Sequence, residues 1–200
     1  GASERNISTV VDQEDAARAL RAVHAGFYLS GHTLSVGIVG PGQVGAELLR
    51  QFEARAGALQ SKFRIDLKFR AVANSRRMFL SDQGVDASSL AEKLGDGDAK
   101  PGEGEAVDLD AFTRHVQADH IPHAVIIDCS ASATVAERYI GWLERGIHVI
   151  TPNKKANSAA FSVYERLREL GGRASTNYLY EATVGAGLPV INTLRDLLET

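Results

Sequence analysis

A glycine-rich hexapeptide, Gly40-Pro41-Gly42-Gln43-Val44-Gly45, restricts the fold of this chain more than any other feature, because of what stands on either side of it. The preceding run LSVGIV at 34–39 is almost wholly apolar, which is typical of a strand buried on both faces of a parallel sheet. After the hexapeptide, apolar side chains recur at i, i+4 spacing and predict a helix over about 43–56, with a buried face of Val44, Leu48, Phe52 and Ala56. A second strand is predicted at 65–73. Together these segments predict a right-handed βαβ unit.

Strands and helices continue to alternate after this unit. Strands are predicted at 123–130, 147–151 and 175–180, and helices at 107–118, from Val135 to near Gly146, and at about 158–170. The stretch 81–106, which includes GDGDAKPGEGE, is acidic and rich in glycine, and it predicts a flexible surface loop. Alternation of this kind predicts an α/β fold, a Rossmann-type doubly wound and mainly parallel sheet.

The spacing G-x-G-x-x-G between a strand and a helix predicts a dinucleotide site. Gly40 permits the tight turn, Gly42 lets the backbone approach a pyrophosphate, and Gly45 lets helix and strand pack closely. The helix N-terminus offers free N–H groups and a partial positive charge to the phosphates. We therefore expect the phosphates to be held by Gly40, Pro41, Gly42, Gln43, Val44 and Gly45. A glycine turn without a ligand is the alternative.

The choice of cofactor depends on the end of the second strand. Asp66 lies at about the right distance from the motif to bind a ribose, but it begins the strand, whereas ligands bind beyond the carboxyl ends. The carboxyl end reads Asn74-Ser75-Arg76-Arg77 and contains no acid. Guanidinium groups match phosphate oxygens, so Asn74, Ser75 and Arg76 predict NADP as the cofactor, with NAD tolerated. Two solvated loop arginines are the alternative.

Two further strand ends are expected at the same edge of the sheet. The first, Asp128-Cys129-Ser130-Ala131-Ser132, offers small hydroxyl side chains that can approach a nicotinamide ribose. Cys129 is expected to be a small core residue, because nothing near it would activate a thiol. The second, Thr151-Pro152-Asn153-Lys154, ends in a lysine that can pair with a substrate carboxylate or donate a proton to a developing alkoxide.

Three segments carry a resemblance to a known family: RAVANSRR at 70–77, TPNKKANS at 151–158 and YLYEATVGAGLPVINTLRDLLE at 178–199. Together they resemble homoserine dehydrogenase, over about residues 34–200. The resemblance implies reversible hydride transfer between NAD(P)H and L-aspartate 4-semialdehyde, giving L-homoserine, in the biosynthesis of threonine, methionine and isoleucine.

The same resemblance implies roles for residues at these strand ends. Ser130, Ala131 and Ser132, with Pro152, Asn153 and Lys154, would surround the nicotinamide ribose. Lys154 matches the family's active-site lysine, and Lys155 has no such role. A monovalent cation such as sodium would be held, mostly through backbone oxygens, by Glu181, Val184, Ala186 and Leu188. The alternative is a glycine hinge ahead of Pro189, which suits a first helical turn.

Residues 1–33 predict a separate β–α piece, with a strand at 6–11, Asp12 as a helix cap and helical spacing from Ala16 to Phe27. The piece resembles the end of the regulatory ACT region in bifunctional aspartokinase–homoserine dehydrogenases, which implies a preceding kinase half and control by an end-product amino acid. We therefore expect a regulatory remnant at 1–33, a dinucleotide-binding domain at 34–180 and the start of a substrate domain at 181–200. Both ends are expected to be cuts in a longer protein, so this piece would bind cofactor without turnover.

Composition argues against some classes of binding partner and indicates the cellular compartment. A net charge of −3 argues against nucleic acid or an anionic membrane as a partner, and no apolar run approaches the ~20 residues that span a bilayer. A single cysteine and a start without signal-peptide features favour a cytoplasmic protein. The full-length protein is expected to be a homo-oligomer with a small-molecule substrate. Two other functions stay open: another NADP-dependent semialdehyde dehydrogenase or reductase, and a non-catalytic nucleotide-binding regulatory module.

Overall fold

A seven-stranded sheet carries the strand ends on which the sequence places its candidate residues. The computed structural model describes residues 32–85, 104–118, 121–172 and 176–198, with short stretches before them at 2–3, 6–7, 10–16, 19–20 and 23. The strands of this described part are β1 (Ala2–Ser3), β2 (Asn6–Ile7), β3 (His32–Val39), β4 (Ile65–Ala73), β5 (Arg77–Val85), β6 (Glu105–Ala106), β7 (His123–Asp128), β8 (His148–Ile150) and β9 (Tyr178–Leu179). The sheet has the order β6-β5-β4-β3-β7-β8-β9.

β3 lies within the sheet and runs parallel to β4 on one side and to β7 on the other. β8 and β9 extend the parallel part, whereas β5 and β6 are antiparallel strands at the opposite edge. The chain passes from β3 to β4 and later returns to the other side of β3 at β7, so the strand order reverses between β3 and β7. Ligands of doubly wound sheets bind outside the carboxyl ends at such a reversal. The predicted α/β fold with a mainly parallel sheet is confirmed.

Helices cover the two faces of the sheet unequally. Their bounds are α1 (Gln43–Phe63), α2 (Leu109–Val116), α3 (Ala133–Ala136), α4 (Tyr139–Glu144), α5 (Phe161–Gly171) and α6 (Val190–Leu198). On one face Leu49 of α1 packs in a cluster with Ile38 and Val72, and on the other face a larger cluster joins α2, α4 and α5 to the strands. The right-handed crossover rule explains why α1 lies on one face and the later helices on the other. From β3 to β4 the chain moves along the sheet in one direction, and from β7 through β8 to β9 it moves in the opposite direction.

α1 is longer than predicted, and the predicted face is correct at Leu48 and Phe52, which pack against the core, but not at its two ends. It continues past residue 56 to Phe63, after which Arg64 takes a left-handed conformation with φ of 56°. Leu49, which the predicted stripe omitted, is buried, whereas Val44 is 57% exposed and Ala56 is also exposed. In the first turn Gly45, not Val44, faces the strands, and the buried stripe follows from there.

The predicted loop at 81–106 is wrong at both ends. Residues 81–85 belong to β5 and residues 105–106 form β6, while 86–103 lie outside the described residues. β5 supplies partners to a buried charge: Arg70 of β4 is 5% exposed, and its guanidinium donates to the Asp82 carbonyl and lies 3.9 Å from the exposed Asp82 carboxylate. A buried cation needs such partners.

The N-terminal piece differs in part from its prediction. Asn6–Ile7 pairs antiparallel with Ala2–Ser3, and residues 10 and 11 are not in a strand. Asp12 precedes a short 3₁₀ helix at Gln13–Asp15 without a side-chain capping bond to it. Residues 8–9 and most of the helix predicted up to Phe27 lie outside the described residues.

The remaining predicted elements agree within a few residues, except that the helix from Val135 is divided into α3 and α4. In the part of the chain that the structure describes, none of the helices combines the length and the apolar character needed to cross a membrane.

Candidate functional site

The glycine turn lies against the end of β7, at the point where the strand order reverses. Gly40 adopts a φ of +78°, and a Cβ there would lie 2.6 Å from the backbone nitrogen of Ser130. A Cβ at Gly45 would lie 2.8 Å from the carbonyl oxygen of Gly40. Both contacts are with backbone atoms, which cannot rotate away as a flexible side chain can. The turn itself therefore requires glycine at 40 and 45.

Gly42 has no such requirement from its own protein. Its φ of −72° and ψ of −157° are open to any residue, and nothing among the described residues lies within 4 Å of a Cβ built there. Gly42 precedes α1, whose N-terminus has no side-chain cap and whose first turn has no acidic residue. Open space in front of uncapped N–H groups suits a phosphate. The residues present therefore fit the phosphates of a dinucleotide.

The strand register decides which end of β4 faces this turn. Val39 pairs with Ala73, and the backbone N–H of Gly40 donates to the Ala73 carbonyl over 2.8 Å. Asp66 pairs instead with Thr33, at the amino end of both strands. The register therefore supports the rejection of Asp66 as the ribose-binding acid and brings the residue after Ala73 beside the glycine turn.

A tight turn joins β4 to β5 next to this position. The Asn74 side-chain Oδ1 accepts hydrogen bonds from the backbone N–H groups of Arg76 (2.8 Å) and Arg77 (2.7 Å). The Arg77 guanidinium donates to the carbonyl oxygen of Gly104 over 2.8 Å. The side chain of Arg76 is exposed and makes no hydrogen bond or ion pair with the residues that the structure describes. Of the two arginines, Arg76 is therefore the one available to an anion.

A buried hydrogen-bond network joins the end of β7 to the end of β8. The Asp128 carboxylate is 0% exposed and accepts from the Ser130 N–H (2.7 Å), the Asn153 Nδ2 (2.9 Å) and the Tyr139 hydroxyl. The Thr151 Oγ1 donates to the Asp128 carbonyl over 2.9 Å and lies 2.9 Å from the Tyr139 hydroxyl oxygen. Burial, together with the charge of Asp128, raises the pKa of Tyr139 well above its usual range. The Tyr139 hydroxyl therefore keeps its proton.

Asn153 lies at the end of this network and directs its side chain into the protein. Besides its bond to Asp128, its Nδ2 donates to the Ser132 carbonyl (2.9 Å), and its Oδ1 accepts from the Lys155 N–H (3.0 Å). The Asn153 amide is thus fully used within the chain and ties the segment after β8 to the segment after β7. Lys154, the next residue, has an exposed side chain.

Cys129 is not suited to act as a nucleophile. Burial, and to a lesser extent the charge of Asp128, raises the pKa of its thiol to about 11. A thiol of this pKa holds almost no thiolate near neutral pH. The expectation that Cys129 is a core residue therefore agrees with its surroundings.

Comparisons with known proteins add an independent observation. The family described as the NAD binding domain of homoserine dehydrogenase matches residues 40–181, which begin at the glycine turn. The chain belongs to this family.

The sequences of known relatives match this chain over its whole length. A bifunctional aspartokinase/homoserine dehydrogenase of Arabidopsis thaliana, described as chloroplastic, is 50% identical over 201 residues, which are 100% of this chain and 21% of that protein. A bifunctional aspartokinase/homoserine dehydrogenase of Haemophilus influenzae is 35% identical over 99% of this chain and 23% of its own length. The chain thus spans about a fifth of the relatives that it matches.

A solved structure shares the fold of the homoserine dehydrogenase domain. A hyperthermophilic archaeal homoserine dehydrogenase in complex with NADPH aligns with a TM-score of 0.62 at 23% identity, over 82% of this chain and 48% of that chain. At this identity the likeness concerns the fold.

Glu181, in the segment after β9, makes hydrogen bonds that the sequence did not predict. The two carboxylate oxygens of Glu181 accept from the backbone N–H groups of Ile191 (2.8 Å) and Asn192 (3.0 Å). Glu181 therefore caps the N-terminus of α6, and the favourable interaction of a carboxylate with a helix N-terminus explains its place.

In the segment 181–188, the groups suited to bind a cation are backbone carbonyl oxygens. The Leu188 carbonyl accepts from the Val190 N–H over 2.8 Å, while the carbonyls of Val184 and Ala186 accept no hydrogen bond from the described residues. Ala186 has a φ of +53°, an uncommon conformation for a residue with a Cβ. The described residues contain no group of three or more His, Cys, Asp or Glu side chains that could hold a metal ion.

The structure brings four of the predicted segments to one edge of the sheet: 40–45, 74–76, 130–132 and 152–154. Sequence reasoning gave no role to Asp128, Tyr139 or Thr151, which hold two of these segments together. The signal in the sequence was an acid at the end of the apolar strand HAVIID, because a buried carboxylate needs donors. Which residues donate depends on how α4 packs, and the spacing along the chain does not show that.

Proposed function

We propose that this chain binds NADP(H) as the cofactor-binding part of a homoserine dehydrogenase, an enzyme that interconverts L-aspartate 4-semialdehyde and L-homoserine. The observation that carries the proposal is Gly42, a glycine before an uncapped helix N-terminus with no steric need for glycine inside the described chain. Membership of the homoserine dehydrogenase family supports the reaction, and it disfavours another semialdehyde dehydrogenase or reductase.

Four segments share the binding of the cofactor in this proposal. Residues 40–45 hold the pyrophosphate, and 74–76 hold the adenosine end, with Arg76 paired to the 2′-phosphate. Residues 130–132 and 152–154 surround the nicotinamide ribose, where Asn153 acts through its backbone because its amide is bonded within the chain. The bound cofactor supplies or accepts the hydride.

Lys154 is assigned to the reacting oxygen of the substrate. Its side chain is exposed at the carboxyl edge, next to the buried Asn153 that fixes the backbone before it. An ammonium group there can donate a proton to a developing alkoxide or stabilise its charge. Lys155 is also exposed, and the proposal gives it no part in the chemistry because the resemblance to the family assigns the active-site role to the first lysine.

The other proposals concern the wider protein. The bifunctional relatives support an aspartokinase in the same chain. Regulation by an end-product amino acid is proposed from the resemblance of residues 1–33 to an ACT region, and assembly into homo-oligomers from the resemblance to the family. A monovalent cation is proposed at the backbone carbonyls of the segment 181–188, with the Glu181 carboxylate excluded as a ligand because it caps α6. The plant relatives are described as chloroplastic, so we propose a reducing compartment, in agreement with the single cysteine, rather than the cytoplasm alone.

A fluorescence titration with NADPH, NADH and NADP tests the cofactor proposal. We expect saturable binding of NADPH, about tenfold tighter than that of NADH, because Arg76 is a cation beside the glycine turn whose side chain makes no hydrogen bond or ion pair with the described residues. If none of the three nucleotides bound, the proposed function would be wrong. If a longer protein containing the chain bound NADPH but never oxidised homoserine, the regulatory module would be the better explanation.

A further inference from the structure

We infer that Tyr139 and Thr151 are positioning residues for the nicotinamide half of the cofactor, acting through the buried carboxylate of Asp128. The inference rests on the proposed function, because it takes the dinucleotide to lie along the carboxyl edge of the sheet. It concerns the two segments 130–132 and 152–154, which follow different strands and have to keep a fixed separation if both are to contact one ribose.

The Asp128 carboxylate gathers donors from three elements. Ser130 donates from the segment after β7, Asn153 donates from the segment after β8, and Tyr139 donates from α4. Among the described residues no Lys, Arg or His lies within ion-pair distance of this carboxylate. A buried carboxylate without a cation is stable only while its hydrogen bonds are made, so all three donors are held in place.

Thr151 connects the end of β7, which carries Asp128, to the segment 152–154. Its Oγ1 accepts from the Asn153 backbone N–H over 2.8 Å and also contacts the Tyr139 hydroxyl and the Asp128 carbonyl. Thr151 is 1% exposed and Tyr139 is 0% exposed, so neither side chain can touch a cofactor itself. Their effect on binding must pass through the backbone of the two segments.

The adenosine half has hydrogen bonds of its own, although Gly40 packs against the backbone of Ser130. The glycine turn is bonded to β4 through Gly40 and Ala73, and the turn before β5 is closed by Asn74. None of these hydrogen bonds includes Asp128, Tyr139 or Thr151. Loss of one hydroxyl from the network should therefore loosen the nicotinamide half and leave the adenosine half as it was.

The test compares a whole cofactor with a fragment of it. Binding of NADPH and of adenosine 2′,5′-bisphosphate is measured for the wild type, Tyr139→Phe, Thr151→Val and Thr151→Ser. Tyr139→Phe and Thr151→Val should each weaken NADPH about tenfold and leave the fragment within about twofold, as expected for one lost buried hydrogen bond. Thr151→Ser keeps a hydroxyl and should bind both ligands like the wild type. If NADH is the tighter dinucleotide, ADP replaces the bisphosphate as the fragment.

Ser35→Ala is the matched control. It also removes one buried hydroxyl, whose oxygen lies 2.6 Å from the Val116 carbonyl, but Ser35 lies in β3 away from the carboxyl edge. This control should leave the ratio of the two dissociation constants unchanged, whatever it does to stability.

The outcomes separate the inference from the proposed function. If Tyr139→Phe and Thr151→Val weakened NADPH and the fragment equally, or changed neither, the positioning role would be wrong. If the wild type bound neither ligand, the proposed function would fail first. Should Tyr139→Phe not fold, the comparison of Thr151→Val with Thr151→Ser decides alone.

Discussion

Gly42 and Gly45 lie three residues apart in one turn, yet an added methyl group would meet different surroundings at the two positions. At Gly45 a Cβ would lie 2.8 Å from the Gly40 carbonyl oxygen, and at Gly42 it would meet no described atom within 4 Å. Gly45 is needed for the turn, and Gly42 leaves open space before the helix N-terminus that suits a ligand approaching the backbone closely.

Two alanine variants should distinguish a glycine required for folding from a glycine required for cofactor binding. Gly42→Ala should change the free energy of unfolding by less than about 1 kcal/mol, because the residue before the helix accepts alanine at small cost. The same variant should weaken NADPH binding by more than about tenfold, since its methyl group enters the phosphate space. Gly45→Ala should lose about 1–3 kcal/mol of stability in urea unfolding, because a backbone atom must move. Equal stability losses in the two variants would contradict this reading of the turn.

Arg76 and Arg77 also differ although they are neighbours. The Arg77 guanidinium is bonded to Gly104, whereas the side chain of Arg76 makes no hydrogen bond or ion pair with described residues. Arg76→Gln should weaken NADPH about tenfold and leave NADH unchanged, because only NADPH carries the 2′-phosphate. The titration used for the wild type measures both, and Arg55→Gln, an exposed arginine on α1, controls for net charge. A parallel loss of NADH affinity would refute 2′-phosphate recognition by Arg76.

At the scale of elements, the sequence predicted the parallel strands of the large sheet and missed the antiparallel strands β5 and β6. β3 and β7 are apolar runs, which a parallel sheet requires. β5 escaped prediction because Ser81, Asp82 and Gln83 interrupt the apolar pattern expected of a buried strand. The tight turn before β5 depends on one side-chain oxygen of Asn74, which a reading of hydrophobic periodicity does not register.

The Glu181 cap gives a prediction about α6. Glu181→Ala removes both acceptors of the Ile191 and Asn192 amides, so amide hydrogen exchange at these two positions should become faster by about fivefold, for a local loss of about 1 kcal/mol. Glu165→Ala, an exposed glutamate within α5, should leave both amides unchanged. If the exchange rates stayed the same in Glu181→Ala, the carboxylate would not be the cap.

At the scale of the whole molecule, the strand order assembles the site from segments that the sequence keeps apart. The sequence was enough to predict which strand ends meet, because parallel strands present their carboxyl ends at one edge. It was not enough to predict how the ends are held at a fixed separation. That depends on Tyr139, which reaches Asp128 from a helix eleven positions further on, so the supporting network became visible only with the packing of α4.

The chain covers about a fifth of the length of its bifunctional relatives, so we expect it to bind the cofactor without the complete reaction. The 200-residue chain should bind NADPH without oxidising L-homoserine, whereas a protein extended to the full length of the relatives should do both. In the longer protein Lys154→Ala should lower kcat by about 10²–10⁴, the usual contribution of a positioned proton donor, and change the NADPH dissociation constant little, since the proposal assigns its exposed side chain to the substrate. Lys155→Ala is the matched control, because it removes an equally exposed ammonium one residue away. Steady-state kinetics with homoserine measure the difference, and equal losses in the two variants would remove Lys154 from its assigned role.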